Sequence, residues 1–168
     1  EVPMNPDRQL LLYMYRTVTR YPGRIRLVRL LVRGGAPFFY VWYGAVVLAA
    51  LLNRRDALAF VLAAPAGTFL AVSLLRRLSF RPRPFAATGI DPLVPHREDS
   101  SLPSRHAASA WAIALVSSVL GPAFFLPALT AALITSGVRV ASGLHYPSDI
   151  LAGLGLALLS TLVALPLL

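Results

Sequence analysis

Two histidines in the sequence stand among residues that suit proton transfer or nucleophilic attack. Asp149 lies four residues after His145, and a carboxylate near an imidazole fixes its tautomer and leaves the other ring nitrogen free to attack. Ser104, a typical helix N-cap, precedes His106 and an apolar run. In a first helical turn, His106 would lie beside anion-binding backbone N–H groups and could protonate a phosphate-ester oxygen. Each segment alone also fits an ordinary helix cap with a loop or surface histidine.

Arginines accompany both histidine segments. Residues 81–84 are two consecutive Arg-Pro pairs, which force extended backbone and hold the guanidinium groups on a stiff strand. Arg76 precedes these pairs. Arg105 stands directly before His106, and Arg139 precedes His145. Guanidinium groups bind phosphate oxygens through two parallel hydrogen bonds. Arg76 also fits a headgroup contact at a helix end, whereas Arg83 lies in a stiff, Pro-flanked site that headgroup contact does not need.

Together these residues supply what metal-free phosphoryl transfer needs: a nucleophile with an orienting carboxylate, an acid, a helix N-terminus and several cations. Zinc is the rival, because His96, His106, His145 and several aspartates are available as ligands. No His-x-x-x-His pair occurs, however, and the arginines repel a cation. We therefore expect no metal and no other cofactor. The absence of cysteine excludes a disulfide or a thiolate nucleophile within the chain.

The composition places this chemistry in a membrane. Of the 168 residues, 57% are hydrophobic and 14% are charged, whereas soluble domains carry roughly 25% charged residues. A compact domain of this size cannot hide so much apolar surface from water. The net charge is +9, and the chain contains no lysine. An apolar and basic chain suits anionic headgroups or an anionic ligand, and no nucleic-acid-binding fold is indicated. Codon usage in a GC-rich genome also explains the preference for arginine.

The apolar runs predict an all-α fold, a polytopic membrane bundle of five to six transmembrane helices. A helix needs about 17–25 residues to cross the hydrocarbon core. Five runs reach or approach that length: 36–52, 57–75, 104–120, 123–138 and 150–168. Pro65 and Pro127 fall inside two of them and are expected to kink the helices locally. We expect a single domain over 1–168, with the transmembrane catalytic core at 35–168.

Residues 1–34 have a different pattern, in which arginines alternate with apolar residues. Arg24, Arg26, Arg29 and Arg33 lie among aliphatic side chains at helical spacing. This pattern predicts one or two amphipathic helices at the membrane interface. The alternative is a short sixth span, because arginine can extend its charge from a helix end to the interface. No early apolar core precedes a small-residue cleavage site, so a cleaved signal peptide is not expected.

Alternation of five spans places the chemistry at one membrane face. The N-terminus and the polar segments 76–105 and 139–149 then share that face, while residues 53–56, the turn at 121–122 and the C-terminus share the other. All three histidines therefore lie on the same side. We expect a polar active site there.

The ordered motifs resemble those of the membrane branch of the type 2 phosphatidic acid phosphatase superfamily, over the chain from about Arg76 to its end. That family has Lys, six residues and Arg-Pro; then Pro-Ser-Gly-His; then Ser-Arg, five residues, His, three residues and Asp. The matching positions are Arg76 and Arg83-Pro84, then 103–106, then Arg139, His145 and Asp149. The sequence departs from the pattern in having Arg76 for Lys, Arg105 for Gly and Val138 for Ser.

The resemblance implies a role for each matching residue. His145 would be the nucleophile that forms a phosphohistidine, Asp149 would orient it, and His106 would protonate the leaving group. The phosphoryl group would be bound by Arg76, Arg83, Ser104, Arg105 and Arg139. Arg105 keeps a backbone N–H in the site but adds a bulky cation.

Residues 80–85 and 93–104 look like the bacitracin-resistance type of undecaprenyl pyrophosphate phosphatase within that superfamily. The implied reaction hydrolyses undecaprenyl pyrophosphate to undecaprenyl phosphate and phosphate, which recycles the carrier lipid of cell-wall synthesis. The alternatives are a phosphatase of phosphatidic acid, phosphatidylglycerol phosphate or diacylglycerol pyrophosphate, and a prenyl-sugar-phosphate phosphatase. A non-catalytic lipid-binding or flippase-like protein is disfavoured by the intact His106, His145 and Asp149.

The orientation in the membrane involves two opposing arguments. Arginine near span ends favours the cytoplasmic side, and the motif face carries most of the arginines. The resemblance implies the outer face of a bacterial inner membrane, where the carrier lipid is recycled. We expect the periplasmic side, because arginines required for chemistry are not topology signals. The expected partners are the bilayer and a membrane lipid substrate.

Overall fold

Residues 5–168, which the structure describes, form seven α-helices and contain no strand. The structure is a computed structural model. The α-helices are α1 (Pro6–Thr19), α2 (Pro22–Asn53), α3 (Leu58–Leu78), α4 (Pro84–Thr88), α5 (Arg105–Ser117), α6 (Pro122–Ala141) and α7 (Pro147–Ala164). Short 3-10 turns cover Arg55–Ala57, Ser118–Leu120 and Leu165–Leu167. The predicted all-α class is confirmed.

Within this part of the chain, four helices are long and apolar enough to cross a membrane. They are Pro22–Asn53, Arg55–Leu78, Pro122–Ala141 and Pro147–Leu167. Helix α5 has only 13 residues, which is short of the roughly 17–25 that a span needs. The apolar run at 104–120 ends in a 3-10 turn rather than in further α-helix. The predicted count of five to six spans is therefore not confirmed.

Helix α2 joins the N-terminal amphipathic pattern to the first apolar run. It has 32 residues and continues through Pro37. The expected boundary at residue 34 thus falls inside a helix, which continues through Gly34 and Gly35 although glycine often ends helices. At about 1.5 Å per residue its length is roughly 48 Å, more than the hydrocarbon thickness. Helix α1 is separate, and its position at the interface stays a prediction. The prolines expected to cause kinks, Pro65 and Pro127, both lie inside continuous helices.

Helix α5 lies at the centre of the bundle and packs against α3, α6 and α7. Its buried residues are mostly small, namely Ala107, Ala108, Ala110, Ala112 and Ala114, together with Ile113, Val116 and Ser117. Small residues allow helix backbones to approach closely. The closest approach is at Gly153 of α7, where a Cβ would lie 3.0 Å from Ser104 O and 3.1 Å from Ala108 N.

The outer surface of the bundle is strongly apolar. Large exposed side chains include Leu48, Leu52, Leu62, Phe69, Leu70, Leu74, Leu133, Leu151, Leu159 and Val163. Soluble monomers rarely expose contiguous apolar area on this scale. The surface is therefore suited to contact with lipid chains.

The helix ends define two poles of the bundle. At one pole α3 and α6 end, and α5 and α7 begin. The segment 79–104, which contains α4, meets the loop 142–146 there through the hydrogen bond from Leu93 N to Ser142 O. At the other pole the turn after α2 touches the end of α5, where Arg54 Nη1 donates to Val119 O at 3.1 Å. All three histidines lie at the first pole, so α5 connects the histidine pole to the opposite one.

The contact at Gly153 predicts a specific sensitivity to an added methyl group. In Gly153→Ala the methyl group would press on the α5 backbone, and overpacking of this kind costs about 1–3 kcal/mol. Gly155→Ala is the matched control, because a Cβ there meets nothing within 4 Å and alanine favours helix by up to about 1 kcal/mol. We expect thermal unfolding in detergent to occur at a lower temperature for Gly153→Ala only. Equal melting temperatures for the two variants would contradict the close approach.

Candidate active site

His145 lies in the short loop 142–146, which follows α6. Gly143 adopts a φ of +76°, and hydrogen bonds from Gly143 N to Val140 O and from Leu144 N to Arg139 O close a Schellman motif. The left-handed conformation that this motif requires favours glycine. The chain is thereby turned back into the bundle, so that the His145 side chain is buried.

The hydrogen bonds of His145 define its tautomer. Nδ1 lies 2.9 Å from Ser101 O and 3.6 Å from Asp149 Oδ2. A carbonyl oxygen only accepts, so Nδ1 must carry the hydrogen and Nε2 has a free lone pair. Arg83 Nη1 lies 3.1 Å from Nε2 and also donates to Leu144 O at 2.9 Å. The nitrogen available for attack therefore faces a guanidinium group.

Burial keeps the His145 ring neutral. It lowers the pKa of His145 from the ordinary 6.5 to about 4, with a further lowering by the charges of Arg83 and Arg139. The Asp149 carboxylate acts in the opposite direction, but its effect does not cancel that of burial. At neutral pH the imidazole is thus in the form that can act as a nucleophile.

Asp149 is held in the first turn of α7 and is fully buried. Its Oδ2 accepts from Tyr146 N at 2.8 Å, which caps the helix. Its Oδ1 accepts from Arg81 Nη1 at 2.8 Å. The carboxylate therefore has fixed hydrogen-bond partners on both oxygens. It lies on the Nδ1 side of the His145 ring, where Ser101 O is the nearer of the two oxygens to Nδ1.

Arg81 connects Asp149 to the N-terminal helix. Its Nη2 donates to Asp7 Oδ2 at 2.7 Å, and its guanidinium lies 4.1 Å from the centre of the Tyr146 ring. Asp7 also accepts from Ser148 N at 2.9 Å and from Ser148 Oγ at 2.6 Å. Burial alone would raise the pKa of Asp7, but the hydrogen bonds from Ser148 and Arg81 lower it overall. We call Asp7, Arg81 and Ser148 the α1 clamp.

The sequence did not indicate the α1 clamp. Arg81 stands in the noticed Arg-Pro pairs, but nothing in its type distinguishes it from Arg83. Asp7 carries no motif at all, and its partner Ser148 is 141 residues away. Ser101 was also missed, because it acts through a backbone carbonyl that every residue possesses.

The arginines expected to bind phosphate meet at the same pole. Three of them contact Asp99, a residue that no sequence motif distinguishes. Asp99 Oδ1 accepts from Arg83 Nε at 2.8 Å and Nη2 at 2.6 Å. Asp99 Oδ2 accepts from Arg76 Nη2 at 2.8 Å and Arg105 Nη2 at 3.1 Å. Arg76 also donates to Pro103 O at 3.0 Å. These arginines are therefore arranged around an anion.

Arg139 differs from the other arginines. It is buried near the end of α6, and within residues 5–168 its Nε has no hydrogen-bond partner. A buried cationic donor without a partner is costly. It is therefore available to an anion that enters the site.

The start of α5 supplies Ser104 and His106. Ser104 is fully buried and caps the helix, with Ala107 N donating to its Oγ at 3.5 Å. Ser104 N donates to Asp149 O at 3.1 Å, which links α5 to α7. His106 lines a cavity of about 370 Å³ between α2, α3, α5 and α6.

His96 is the third histidine at this pole, and in the sequence it stood only as a possible zinc ligand. It is half-buried in the loop before α5. Burial, together with the charges of Arg83 and Arg139, lowers the pKa of His96 to about 4. Among the residues that the structure describes, no three His, Asp or Glu side chains are grouped so that they could hold a metal ion.

Removal of the α1 clamp tests whether it positions Asp149. Arg81→Met deletes three charge-assisted hydrogen bonds, to Asp149, Asp7 and Ser148, each worth about 1.5–3 kcal/mol, and we expect phosphate release to fall about 10- to 100-fold. Arg81→Lys should recover part of the rate. Arg77→Met removes the same charge from an exposed position and should leave the rate within about twofold. Equal effects at positions 77 and 81 would contradict a positioning role.

The lowered pKa of His145 can be measured directly. In protein labelled with ¹⁵N at histidine, and with assignment by His145→Gln, the ring of His145 should stay neutral as the pH falls and titrate near 4. The sign follows from burial, which penalises the charged form. Asp149→Asn should move this titration to still lower pH, since Asp149 raises the pKa. A midpoint near 6.5 in the native protein would contradict the geometry described above.

Comparisons with known proteins place the chain in a family. The sequence profile of the PAP2 superfamily matches residues 56–168. Undecaprenyl-diphosphatase BcrC of Bacillus subtilis (strain 168) is 35% identical over 86 residues, which are 51% of this chain and 45% of that protein. The match thus spans less than half of that relative.

Two crystal structures share the fold. LpxE of Aquifex aeolicus superposes with a TM-score of 0.80 at 18% identity, over 98% of this chain and 97% of the other. The first transmembrane PAP2-type phosphatidylglycerolphosphate phosphatase from Bacillus subtilis superposes with a TM-score of 0.75 at 21% identity, over 95% and 83%. With its several apolar helices the chain is a multi-pass membrane protein. Because the family profile covers more than half of it, the chain belongs to the PAP2 superfamily.

Proposed function

We propose that this protein is a bacterial membrane phosphatase that hydrolyses undecaprenyl pyrophosphate to undecaprenyl phosphate and phosphate through a phosphohistidine on His145. One observation carries the proposal. The ring of His145 is buried and neutral, with Nδ1–H directed at Ser101 O and the lone pair of Nε2 facing Arg83. Such a nitrogen is prepared for attack on a phosphorus atom that guanidinium groups hold in place.

The first half-reaction transfers the terminal phosphoryl group. Nε2 of His145 attacks the terminal phosphorus, a P–N bond forms, and the bond from phosphorus to the bridging oxygen breaks. His106, protonated when the negative charge of the bound diphosphate lies beside it, donates this proton to that oxygen, so undecaprenyl phosphate leaves. Arg83 Nη1, which contacts Nε2 in the resting site, turns its donor to a phosphoryl oxygen. Arg139 Nε gains the partner that it lacks.

The second half-reaction restores the enzyme. Water attacks the phosphorus, the P–N bond breaks, and inorganic phosphate leaves with the oxygen of that water. His106, now unprotonated, accepts the proton from the attacking water. Asp149 stabilises His145 when the ring becomes positively charged, and Ser104 with the first N–H groups of α5 binds the phosphoryl oxygens. Arg76 and Arg105 complete the cationic surroundings. The steps require no metal ion.

The lipid chain has a route to this site. The cavity beside His106 is lined mainly by apolar and small residues from four helices, among them Gly35, Phe39, Tyr40, Phe69 and Ile113. A mostly apolar cavity that ends at a polar group suits a lipid whose reacting head enters the site. The similarity to a protein named undecaprenyl-diphosphatase favours an isoprenoid diphosphate. A glycerophospholipid substrate is the second candidate, since one protein of the same fold is named a phosphatidylglycerolphosphate phosphatase.

The membrane arrangement follows from the same proposal. We place α5 as a short, fifth crossing at the bundle centre, because it links the two poles. Helix α1 lies at the interface of the inner membrane, residues 1–168 act as one domain, and the histidine pole faces the periplasm. The C-terminus should then be cytoplasmic. An accessible tag at the C-terminus of intact spheroplasts would contradict this orientation.

A panel of substrates and variants tests the function. Purified protein should release phosphate from undecaprenyl pyrophosphate faster than from phosphatidic acid or phosphatidylglycerol phosphate, with or without a chelator. His145→Ala should lower the rate by about a thousandfold or more, and His106→Ala should also impair it.

Label transfer from ³²P-labelled substrate tests the phosphohistidine intermediate separately from the overall hydrolysis. An acid-labile, alkali-stable protein phosphate should form in the native protein and be absent from His145→Ala, whereas His106→Ala should still become labelled at a reduced rate. Loss of activity with chelator, or labelling of His145→Ala, would contradict the histidine mechanism. Faster release from phosphatidylglycerol phosphate would favour the second candidate substrate.

A further inference from the structure

The carboxylate of Asp99 lies where three guanidinium groups converge. The groups come from the end of α3, from the loop that follows it and from the start of α5. A carboxylate and a phosphate present similar pairs of oxygens to guanidinium. The resting site is therefore arranged around an anion that the protein itself supplies.

Asp99 is the replaceable member of this cluster. Arg76 and Arg83 are almost fully buried, with 8% and 3% of their side chains exposed, whereas Asp99 is 38% exposed. Asp99 and Arg105 also border an open cavity of about 550 Å³ together with Pro95, His96 and Arg97. Buried cations need a counter-anion. An entering anion can take over this role at the guanidinium nitrogens that now contact Asp99.

Arg83 serves two neighbouring anion positions at once. Its Nη1 points to His145 Nε2, while its Nε and Nη2 point to Asp99. A phosphoryl group at the first position would meet His145 and Arg139. A second phosphate, joined to it through a bridging oxygen, would meet Arg76 and Arg105 at the second position. The two positions together have the layout of a diphosphate.

We propose that the cluster of Arg76, Arg83 and Arg105 is a binding position for the second phosphate of a diphosphate, and that the carboxylate of Asp99 occupies this position in the resting site and is displaced when a diphosphate binds. The proposal rests on the proposed function only in placing the reacting phosphate at His145. A monophosphate fills the first position and leaves Asp99 on its arginines. A diphosphate fills both positions and gains all three arginines in exchange for Asp99. The arginines therefore favour substrates that carry two phosphates, while Asp99 competes with the second phosphate for the same guanidinium groups.

Binding of two non-hydrolysable probes tests this without turnover. Dissociation constants of methylenediphosphonate and methylphosphonate are measured by calorimetry on the full chain in detergent, for the native protein, Asp99→Asn and Glu98→Gln. Glu98 is exposed, so Glu98→Gln removes the same charge from the adjacent position. Since competition by Asp99 reduces the apparent affinity for the diphosphonate, Asp99→Asn should bind it about five- to tenfold more tightly. Methylphosphonate binding should change by less than about twofold, and Glu98→Gln should alter neither constant by more than that.

Other outcomes overturn the proposal. Weaker binding of both probes to Asp99→Asn would show that Asp99 positions the arginines and does not compete with the ligand. Equal tightening of both, or tightening in Glu98→Gln as well, would show a general effect of charge. No change in either constant would show that Asp99 does not compete. Failure of the histidine mechanism would instead be seen in the labelling of His145→Ala and would leave these binding constants unaffected.

Arg105→Gln provides a second, independent variant. Arg105 is half-exposed, so its replacement carries little risk to folding. Methylenediphosphonate should bind about fivefold more weakly to this variant, because a charge-assisted hydrogen bond to the second phosphate is lost. Methylphosphonate should bind within about twofold of the native value. An equal loss for both probes would place Arg105 at the first position and contradict the assignment.

Discussion

Mutual repulsion between arginines is the constraint on which the histidine pole depends. Arg76, Arg83, Arg105 and Arg139 are gathered at one end of an apolar bundle, where charges interact more strongly than in water. Three of them are stabilised by one carboxylate, and two of those also donate to the backbone carbonyls of Pro103 and Leu144. Those partners come from loops, so the loops must fold over the helix ends before the arginines can be held together.

Asp149 and Asp99 are held differently because their surroundings differ. Asp149 is buried, accepts a hydrogen bond from a backbone N–H and is paired with Arg81, so its position is fixed on both oxygens. Asp99 is partly open to solvent and is held only by side chains. Burial alone would raise its pKa, but the hydrogen bond with Arg83 and the charges of Arg83, Arg76 and Arg105 lower it, so it stays ionised. A fixed anion suits the orientation of a nucleophile, and a partly exposed anion suits exchange with a ligand.

The sequence predicted the parts of this structure that depend on residue type and local spacing. The all-α class follows from apolar runs, and Ser104 at the start of α5 follows from N-cap chemistry. The shortness of α5 was missed, because its apolar run extends into a 3-10 turn. The continuity of α2 was missed, because arginines within an apolar pattern resemble an interfacial helix. Asp7, Asp99 and Ser101 could not be identified, because their roles depend on partners that are distant in the chain or on a backbone carbonyl.

The α1 clamp joins the two ends of the described chain, since Asp7 contacts Ser148, 141 residues later. During synthesis the first helix emerges long before the last, so Asp7 is made well before its partner Ser148. Contacts of such high sequence separation form late, because the intervening loop must close first. Arg81 and Asp149 acquire their full set of ion pairs only when α7 is in place. A half-inserted chain would therefore carry every motif arginine and yet lack the contacts that join Arg81 to Asp149 and Asp7.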